Sequence, residues 1–170
     1  MDLKKVIRDF PDFPRPGILF RDITTILKDP AAFNSAIEQI EGLLTDFEYD
    51  LVISPESRGF MFGAPIAARL GKGFVPARKK GKLPGEVLSK TYFLEYGLDS
   101  IEIHKDAVKP GQKAVIVDDL LATGGTGQGI CEIVEQLGGE IVCVAFLIEL
   151  GGLNGREALK GYDVRAVLEY

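Results

Sequence analysis

The stretch VIVDDLLATGGTGQG, residues 115–129, decides how this chain folds. Three β-branched apolar residues lead into two carboxylates, Asp118 and Asp119, and a turn rich in Gly and Thr follows. A continuous apolar run is typical of a strand that is covered on both faces. A Gly-rich turn that opens a helix suits an anion, because free backbone N–H groups and the helix dipole point toward it. The stretch therefore predicts a strand, a turn and a helix, with an anion site beside two carboxylates.

The rest of the chain continues this alternation of strand and helix. Apolar runs predict strands at residues 51–54, 73–77, 114–118, 141–149 and 163–170. Helical patterns are found at residues 30–47, 60–71 and 127–138, and Asp29 is the expected cap of the first. The pattern predicts an α/β fold with a mainly parallel sheet flanked by helices, and the 170 residues suit a single domain covering 1–170.

Two segments interrupt the alternation. Residues 10–27 carry three prolines between Pro11 and Pro16, so that part cannot be helical. Residues 79–109 form a long excursion that contains KTYFLEYG and IEIHKD, two alternating pieces expected to pair as a hairpin. In a compact domain an excursion of this length is often a functional lid.

Composition excludes several classes of protein. With 25 acidic and 20 basic residues the net charge is −5, so nucleic-acid binding would need a local basic patch. Charged residues in MDLKKVIRDF exclude the apolar stretch of a signal peptide, and no apolar run approaches the ~18 residues of a membrane span. Cys131 and Cys143 are predicted to be buried free thiols of a cytosolic protein.

The turn at residues 122–126 has the chemistry of a phosphate site. Gly124 and Gly125 allow the backbone to approach an anion, and the hydroxyls of Thr123 and Thr126 can donate hydrogen bonds. The Walker A pattern fails because the turn has no Lys, and the dinucleotide pattern GxGxxG fails because its third glycine is missing. The turn is therefore predicted to hold a phosphate in another way.

The two carboxylates indicate what the phosphate is attached to. Asp118 and Asp119 can accept hydrogen bonds from the neighbouring hydroxyls of a sugar, and ribose 5-phosphate carries both groups. The alternative is structural, with Asp119 as a helix cap and Asp118 as a solvated strand end.

Several motifs resemble a known family. VIVDDLLATGGT closely resembles the 5-phosphoribosyl 1-pyrophosphate (PRPP) motif of the type I phosphoribosyltransferases. Four earlier stretches resemble, in their order and spacing, those of the adenine phosphoribosyltransferases. They are FPRPGILFRDIT, ESRGF, ARKKGKLPG and LEYG. The resemblance extends from Phe10 to the segment ELGGLNGRE. It implies a hood at about residues 10–27 and a flexible catalytic loop at about residues 79–109.

The resemblance also implies a role for particular residues. The expected PRPP contacts are Asp118, Asp119, Ala122, Thr123, Gly124, Gly125, Thr126, Glu56, Ser57, Arg58, Arg78 and Lys82. The expected adenine contacts are Leu19, Phe20, Arg21 and Leu150. Glu95 and Arg58 are the expected catalytic residues. A cis peptide is expected at or near the bond between Ser57 and Arg58.

Each assignment has a plainer alternative. Arg58 and the Lys residues of ARKKGKLPG would otherwise be solvated, Phe20 would be a core residue and Glu95 an exposed loop residue. Ser57 is not expected to be a hydrolytic nucleophile, because no G-x-S-x-G surrounds it and the sole histidine, His104, lies far along the chain.

The resemblance implies a cytoplasmic homodimer that converts adenine and PRPP to AMP and pyrophosphate. It implies Mg²⁺ bound through substrate oxygens and water, without direct protein ligands, and neither nucleic acid nor membrane as a partner. Two alternatives stay open. One is transfer to another base, against which the hood sequence argues. The other is a non-catalytic PRPP sensor that binds nucleic acid, which would need a basic face or an additional domain.

Overall fold

The structure, a computed structural model, describes residues 1–94 and 97–170. Its strands and helices alternate along most of the chain. In chain order they are β1 (Arg8–Pro11), β2 (Leu19–Asp22), α1 (Thr24–Leu27), α2 (Pro30–Leu43), β3 (Leu51–Pro55), α3 (Phe60–Arg69), β4 (Gly73–Lys79), β5 (Val87–Leu94), β6 (Gly97–His104), β7 (Lys113–Leu121), α4 (Gly125–Gln136), β8 (Glu140–Glu149), α5 (Gly155–Ala158) and β9 (Val164–Glu169). No helix within this described part is long and apolar enough to cross a membrane.

A seven-stranded sheet forms the centre, in the order β5-β6-β4-β3-β7-β8-β9. Strands β4, β3, β7, β8 and β9 pair in parallel, and β5 and β6 add an antiparallel edge. Because parallel strands in such a sheet all end at the same edge, the turns that follow β3 and β7 are brought together. The predicted α/β fold with a mainly parallel sheet is confirmed.

Apolar layers cover both faces of the sheet. Val115 and Val117 of β7 pack with α2 and α3 on one face, whereas Ala114 and Ile116 pack with α4 on the other. This burial on both faces is why β7 is continuously apolar rather than alternating. Both cysteines are free and buried, as predicted, and burial raises the pKa of each thiol to about 12.

Two element boundaries differ from the predicted ones by three residues or more. Asp29 caps α2 by accepting a hydrogen bond from the Ala32 N–H at 2.8 Å, as predicted, but the helix ends at Leu43 rather than at Phe47. Phe47 still packs against the core from the following turn, which explains why its spacing fitted a helix. Strand β7 continues three residues beyond Asp118, because its end pairs with the end of β8, Leu121 opposite Glu149.

Both irregular segments contain hairpins. The proline-rich segment is not helical from Pro11 to Pro16, as predicted, and β1 pairs with β2, with Phe10 opposite Phe20. In the long excursion β5 pairs with β6, as predicted, and β6 also pairs with β4, so the hairpin extends the central sheet. The hood hairpin was not predicted, since its prolines interrupt the alternation of apolar and polar residues that indicates a strand.

Candidate functional site

A cavity of about 240 Å³ lies where the turns after β3 and β7 meet at the carboxyl edge of the sheet. Its lining combines four carboxylates, two cations and the inner face of the β5–β6 hairpin. The residues that line it are Pro55, Glu56, Ser57, Arg58, Lys79, Tyr92, Leu94, Asp99, Ile101, Asp118, Asp119, Leu120, Ala122 and Thr126. The cavity therefore brings together side chains from four separate sequence motifs.

The turn between β7 and α4 is tightly packed from behind. Gly124 has φ +83°, and a Cβ there would lie 2.3 Å from the carbonyl oxygen of Gly155. A Cβ on Gly155 would in turn lie 2.4 Å from the carbonyl oxygen of Ala122. Only glycine fits such close backbone contacts. Ala122 and Thr126 line the cavity, and the whole turn lines a second, smaller pocket of about 80 Å³. The first N–H groups of α4 can bind an anion there.

Asp118 and Asp119 lie at the end of β7. The carboxylate of Asp118 accepts a hydrogen bond from the Asp119 N–H at 2.8 Å, and Asp119 is 5% exposed. Burial and the neighbouring Asp119 carboxylate raise the pKa of Asp118 well above its usual range. Burial also raises the pKa of Asp119, although the Arg58 guanidinium opposes that shift. Two close carboxylates with little water favour ligands that bring hydroxyl donors or positive charge.

The turn after β3 carries Glu56, Ser57 and Arg58. The Glu56–Ser57 peptide is cis, one bond earlier than Ser57–Arg58 and within the expected neighbourhood. Arg58 Nε lies 2.9 Å from Asp119 Oδ2, and Ser57 is exposed beside it. The turn packs closely on the other one, because a Cβ at Gly59 would lie 2.9 Å from Asp118 Oδ1. The two turns thus form one continuous surface.

The basic segment begins in the last two residues of β4 and lies only partly at the cavity. Arg78 Nε donates to Glu56 Oε1 at 3.2 Å, so Arg78 supports the turn after β3. Lys79 lines the cavity, and its Nζ lies 2.8 Å from Asp99 Oδ2. Lys82 is exposed, and within the described part of the chain it is not among the lining residues. Lys79, rather than Lys82, is the lysine that this structure places at the cavity.

The hood approaches the cavity through Phe20. The Phe20 ring centroid lies 6.0 Å from Arg58 Cζ, and Phe13 packs edge-on against Phe20 at 5.2 Å. Leu19 is 44% exposed beside them. Successive side chains of a strand point to opposite faces, so Arg21 is directed away from Phe20 and pairs with Asp9.

Leu150 follows the end of β8. Its N–H donates to the carbonyl oxygen of Leu121 at 2.9 Å, so it lies next to the turn that follows β7. Its side chain is partly buried against the core. The structure therefore places Leu150 at the same edge of the sheet as the carboxylates.

Comparisons with known proteins agree with this geometry. A phosphoribosyl transferase domain family matches residues 22–167. Adenine phosphoribosyltransferase of Alkaliphilus metalliredigens is 56% identical over 170 residues, which is 100% of both chains. The chain belongs to the adenine phosphoribosyltransferase family. The crystal structure of the Thermoanaerobacter pseudethanolicus member has a TM-score of 0.96 at 56% identity, covering 99% of this chain and 98% of that one.

A further structure of the family was solved with ligands. The Saccharomyces cerevisiae adenine phosphoribosyltransferase, complexed with adenine and an imino-altritol bisphosphate, has a TM-score of 0.92 at 41% identity. The match covers 98% of this chain and 96% of that one. Family membership confirms the fold and the family suggested by the sequence motifs.

One expected catalytic residue of this family member, Glu95, lies outside the described residues. Among the lining residues that the sequence did not single out are Tyr92, Leu94 and Asp99. Tyr92 is 7% exposed, and burial raises the pKa of its hydroxyl while a hydrogen bond with the Thr126 side chain lowers it. The signal that could have found them is the period of two in the hairpin, which places Tyr92 and Leu94 on one face.

Proposed function

We propose that this cavity is where the chain carries out the reaction of its family, the conversion of adenine and PRPP to AMP and pyrophosphate. The observation that carries the proposal is the ion pair of Arg58 and Asp119, 2.9 Å apart, which joins the turn after β3 to the end of β7. A ligand with a phosphate, a ribose and a pyrophosphate needs an anion site on each side of a pair of carboxylates. The two segments supply that order within one chain of 170 residues.

The charged groups of the cavity determine the proposed orientation of PRPP. The 5-phosphate binds the turn formed by Ala122, Thr123, Gly124, Gly125 and Thr126, which lies at the N-terminus of α4 and contains backbone N–H and Thr hydroxyl donors. The ribose hydroxyls donate to the carboxylates of Asp118 and Asp119. The pyrophosphate lies along the other turn, with its contacts drawn from Glu56, Ser57, Arg58, Arg78, Lys79 and Lys82.

Adenine is placed beneath the hood. Phe20 stacks on the base, and Leu150 closes the other face. A backbone C=O and N–H near Leu19 pair with the exocyclic amine and N1, a pattern that 6-oxopurines reverse. The proximity of Phe20 to Arg58 supports this placement, because it brings the base next to the ribose end of the cavity.

The reaction is a substitution at the anomeric carbon. The N9 lone pair of adenine forms a bond to C1′ while the bond from C1′ to the pyrophosphate oxygen breaks, and the N9 proton is lost to a base. Positive charge builds on the ribose in the oxocarbenium-like transition state, so the carboxylates of Asp118 and Asp119 stabilise it. Arg58 stabilises the charge of the departing pyrophosphate, and Glu95 accepts or orients the N9 proton of adenine.

Mg²⁺ fits the donor set of this site. Among the described residues no group of three or more His, Cys, Asp or Glu side chains is placed to hold a metal ion. The cavity does present carboxylate oxygens, the ligand type that Mg²⁺ prefers, at Asp118 and Asp119. The ion would supply charge neutralisation to the pyrophosphate oxygens, which would be its main ligands together with water.

The assembled enzyme is proposed to be a cytoplasmic homodimer, as the family resemblance implies. Exposed apolar side chains at Phe10, Phe13, Met61 and Leu70 are compatible with a further contact surface. Sedimentation of the purified chain would give one species of twice the 18.5 kDa chain mass.

One assay tests the proposed reaction. The chain is incubated with PRPP, Mg²⁺ and one free base at a time, among them adenine, hypoxanthine, xanthine and orotate, and the nucleotide product is identified. Production of AMP at a rate at least ~10²-fold above that of other nucleotides is expected, since a site that pairs with the exocyclic amine leaves polar groups unpaired with a 6-oxopurine. Preference for another base would exclude the adenine assignment, and PRPP binding without any product would favour a sensor.

A further inference from the structure

Tyr170, which follows β9, holds Arg21 of the hood. Arg21 Cζ lies 3.9 Å from the centroid of the Tyr170 ring, and its guanidinium also pairs with Asp9. The Arg21 side chain is 17% exposed, and a cation held over an aromatic ring is attracted more strongly when little water surrounds it. The strand that carries Phe20 is therefore fixed through its next residue.

The main chain of Tyr170 holds the segment around Leu150. The Tyr170 N–H donates to the carbonyl oxygen of Glu149 at 3.0 Å, and the Gly151 N–H donates to a main-chain oxygen of Tyr170 at 2.9 Å. These two hydrogen bonds lie on either side of Leu150. The Glu149 carboxylate is itself fixed by Arg156, through bonds of 2.8 and 2.7 Å.

The position of the Tyr170 ring is itself constrained. Lys4 Nζ lies 4.9 Å from the ring centroid and donates to the carbonyl oxygen of Glu169 at 2.6 Å. The ring thus has cations from two separate segments of the chain against it. A side chain held in this way transmits the position of one neighbour to the other.

We propose that Tyr170 is a positioning residue that sets the spacing between the two walls of the adenine site, the hood strand with Phe20 and the segment with Leu150. The inference rests on the proposed placement of adenine between Phe20 and Leu150. A flat base gains dispersion energy from both walls only at contact distance, and a gap of about 0.5–1 Å on one side forfeits about a quarter to a half of that attraction. Tyr170 touches neither substrate in this proposal and acts through Arg21 and Leu150.

The test compares Tyr170→Leu with two matched variants. In Tyr170→Leu the KM for adenine rises about tenfold, equivalent to about 1.4 kcal/mol, while kcat and the KM for PRPP stay within about twofold. Tyr170→Phe keeps the ring and is expected to keep the wild-type KM for adenine. Phe47→Leu removes the ring that lies 4.5 Å from Arg165 Cζ, a similar contact at a different site, and leaves the KM for adenine unchanged.

A double variant tests whether Tyr170 acts through Arg21. If it does, Arg21→Met with Tyr170→Leu raises the KM for adenine by no more than the larger single change, because coupled residues are not additive. The proposal is overturned if Tyr170→Leu leaves this KM unchanged, if the KM for PRPP rises equally, or if Phe47→Leu has the same effect. Phe20→Ala separates the two levels of the argument. A higher KM for adenine in Phe20→Ala with none in Tyr170→Leu removes only Tyr170, and no change in either also removes the adenine placement.

Discussion

Arg58 Nε and Asp119 Oδ2 lie 2.9 Å apart, and this ion pair joins the turn after β3 to the end of β7. The Asp119 side chain is 7% exposed, whereas that of Arg58 is 40% exposed. The buried carboxylate of Asp119 is therefore neutralised by the more exposed guanidinium of Arg58. Because the two turns are proposed to bind pyrophosphate and ribose, the pair couples the leaving group to the sugar.

Replacing Asp119 with Asn tests this coupling. The change keeps the size of the side chain but removes the charge that faces both Arg58 and the proposed oxocarbenium-like ribose. We expect kcat/KM to fall by an amount equivalent to ~2–4 kcal/mol. Asp46→Asn is the matched control, since Asp46 lies 2.9 Å from Arg165 on the surface and should leave activity within about twofold. Wild-type turnover in Asp119→Asn would remove the carboxylate from the mechanism.

The lysine that serves the pyrophosphate can be identified by two substitutions. The structure places Lys79 in the cavity, 2.8 Å from Asp99, whereas the family resemblance favoured Lys82. We expect Lys79→Met to raise the KM for PRPP by about tenfold or more, because the pyrophosphate then loses a charged hydrogen-bond donor. Lys82→Met should have a smaller effect in the same steady-state assay. The reverse order would show that Lys82 moves to the ligand when PRPP binds.

Glu95 carries the prediction that proton handling limits turnover. A glutamate side chain ordinarily has a pKa of ~4.3, so it is ionised at neutral pH and can accept the N9 proton of adenine. Glu95→Gln should reduce kcat by ~10²–10⁴-fold, the range typical of a general acid or base. Titration of the variant with AMP should give nearly the wild-type affinity. A variant that keeps its rate would make Glu95 a solvated residue, and equal losses in both measurements would indicate ground-state binding.

The sequence predicted the parts of the fold that depend on local patterns. Continuous apolar runs at β3, β7 and β8 and the Asp29 cap of α2 are local signals, so they were readable without the structure. The end of α2 was wrong by four residues, because Phe47 contacts the core without being helical. The length of β7 depended on pairing with β8, which no local pattern contains.

The candidate site shows the same division. The turns at Gly124 and Arg58 were found because their residue types carry the chemistry. The contribution of Gly155, whose backbone packs against Ala122 and Gly124, required tertiary contact between segments about 30 residues apart. Lys79 and Lys82 could not be ranked from sequence, since they belong to one basic run and only the pairing of β4 with β6 places Lys79 at the cavity.

Gly124→Ala tests the packing of the phosphate turn. At φ +83° a non-glycine residue is strained by roughly 1–2 kcal/mol, and the new Cβ would also lie 2.3 Å from the Gly155 carbonyl oxygen. Gly111→Ala is the matched control, because Gly111 has φ +84° and a Cβ added there would meet nothing within 4 Å. In chemical denaturation we expect the free energy of unfolding of both variants to fall by this strain energy. For Gly124→Ala it should fall by ~1–3 kcal/mol more. Equal losses would mean that the turn relaxes away from Gly155 at little cost.

Asp118 provides a prediction in which activity and stability change in opposite directions. Burial and the Asp119 carboxylate raise the pKa of Asp118 above its unfolded value of 3.8, so the folded protein binds the proton more tightly than the unfolded chain does. The free energy of unfolding then falls as pH rises from about that value through the folded pKa, because ionised Asp118 is disfavoured only in the folded state. Asn carries no such charge and can still accept the hydrogen bond from the Asp119 N–H.

We therefore expect Asp118→Asn to lose turnover but to gain stability. At about pH 8, calorimetry without substrate should give a Tm a few degrees above that of the wild type, since ~1 kcal/mol shifts Tm by about 2–4 °C in a protein of this size. The difference should shrink as pH is lowered toward about 3, where Asp118 is protonated in the folded state and mostly so in the unfolded chain. Asp99→Asn supplies the opposite sign: the Lys79 hydrogen bond lowers the pKa of Asp99, so its charge stabilises the fold above about pH 3.8 and is lost on acidification. That variant should be less stable than the wild type at the same alkaline pH. A Tm difference for Asp118→Asn that does not change with pH would show that the Asp118 carboxylate is no less favourable in the fold than in the unfolded chain.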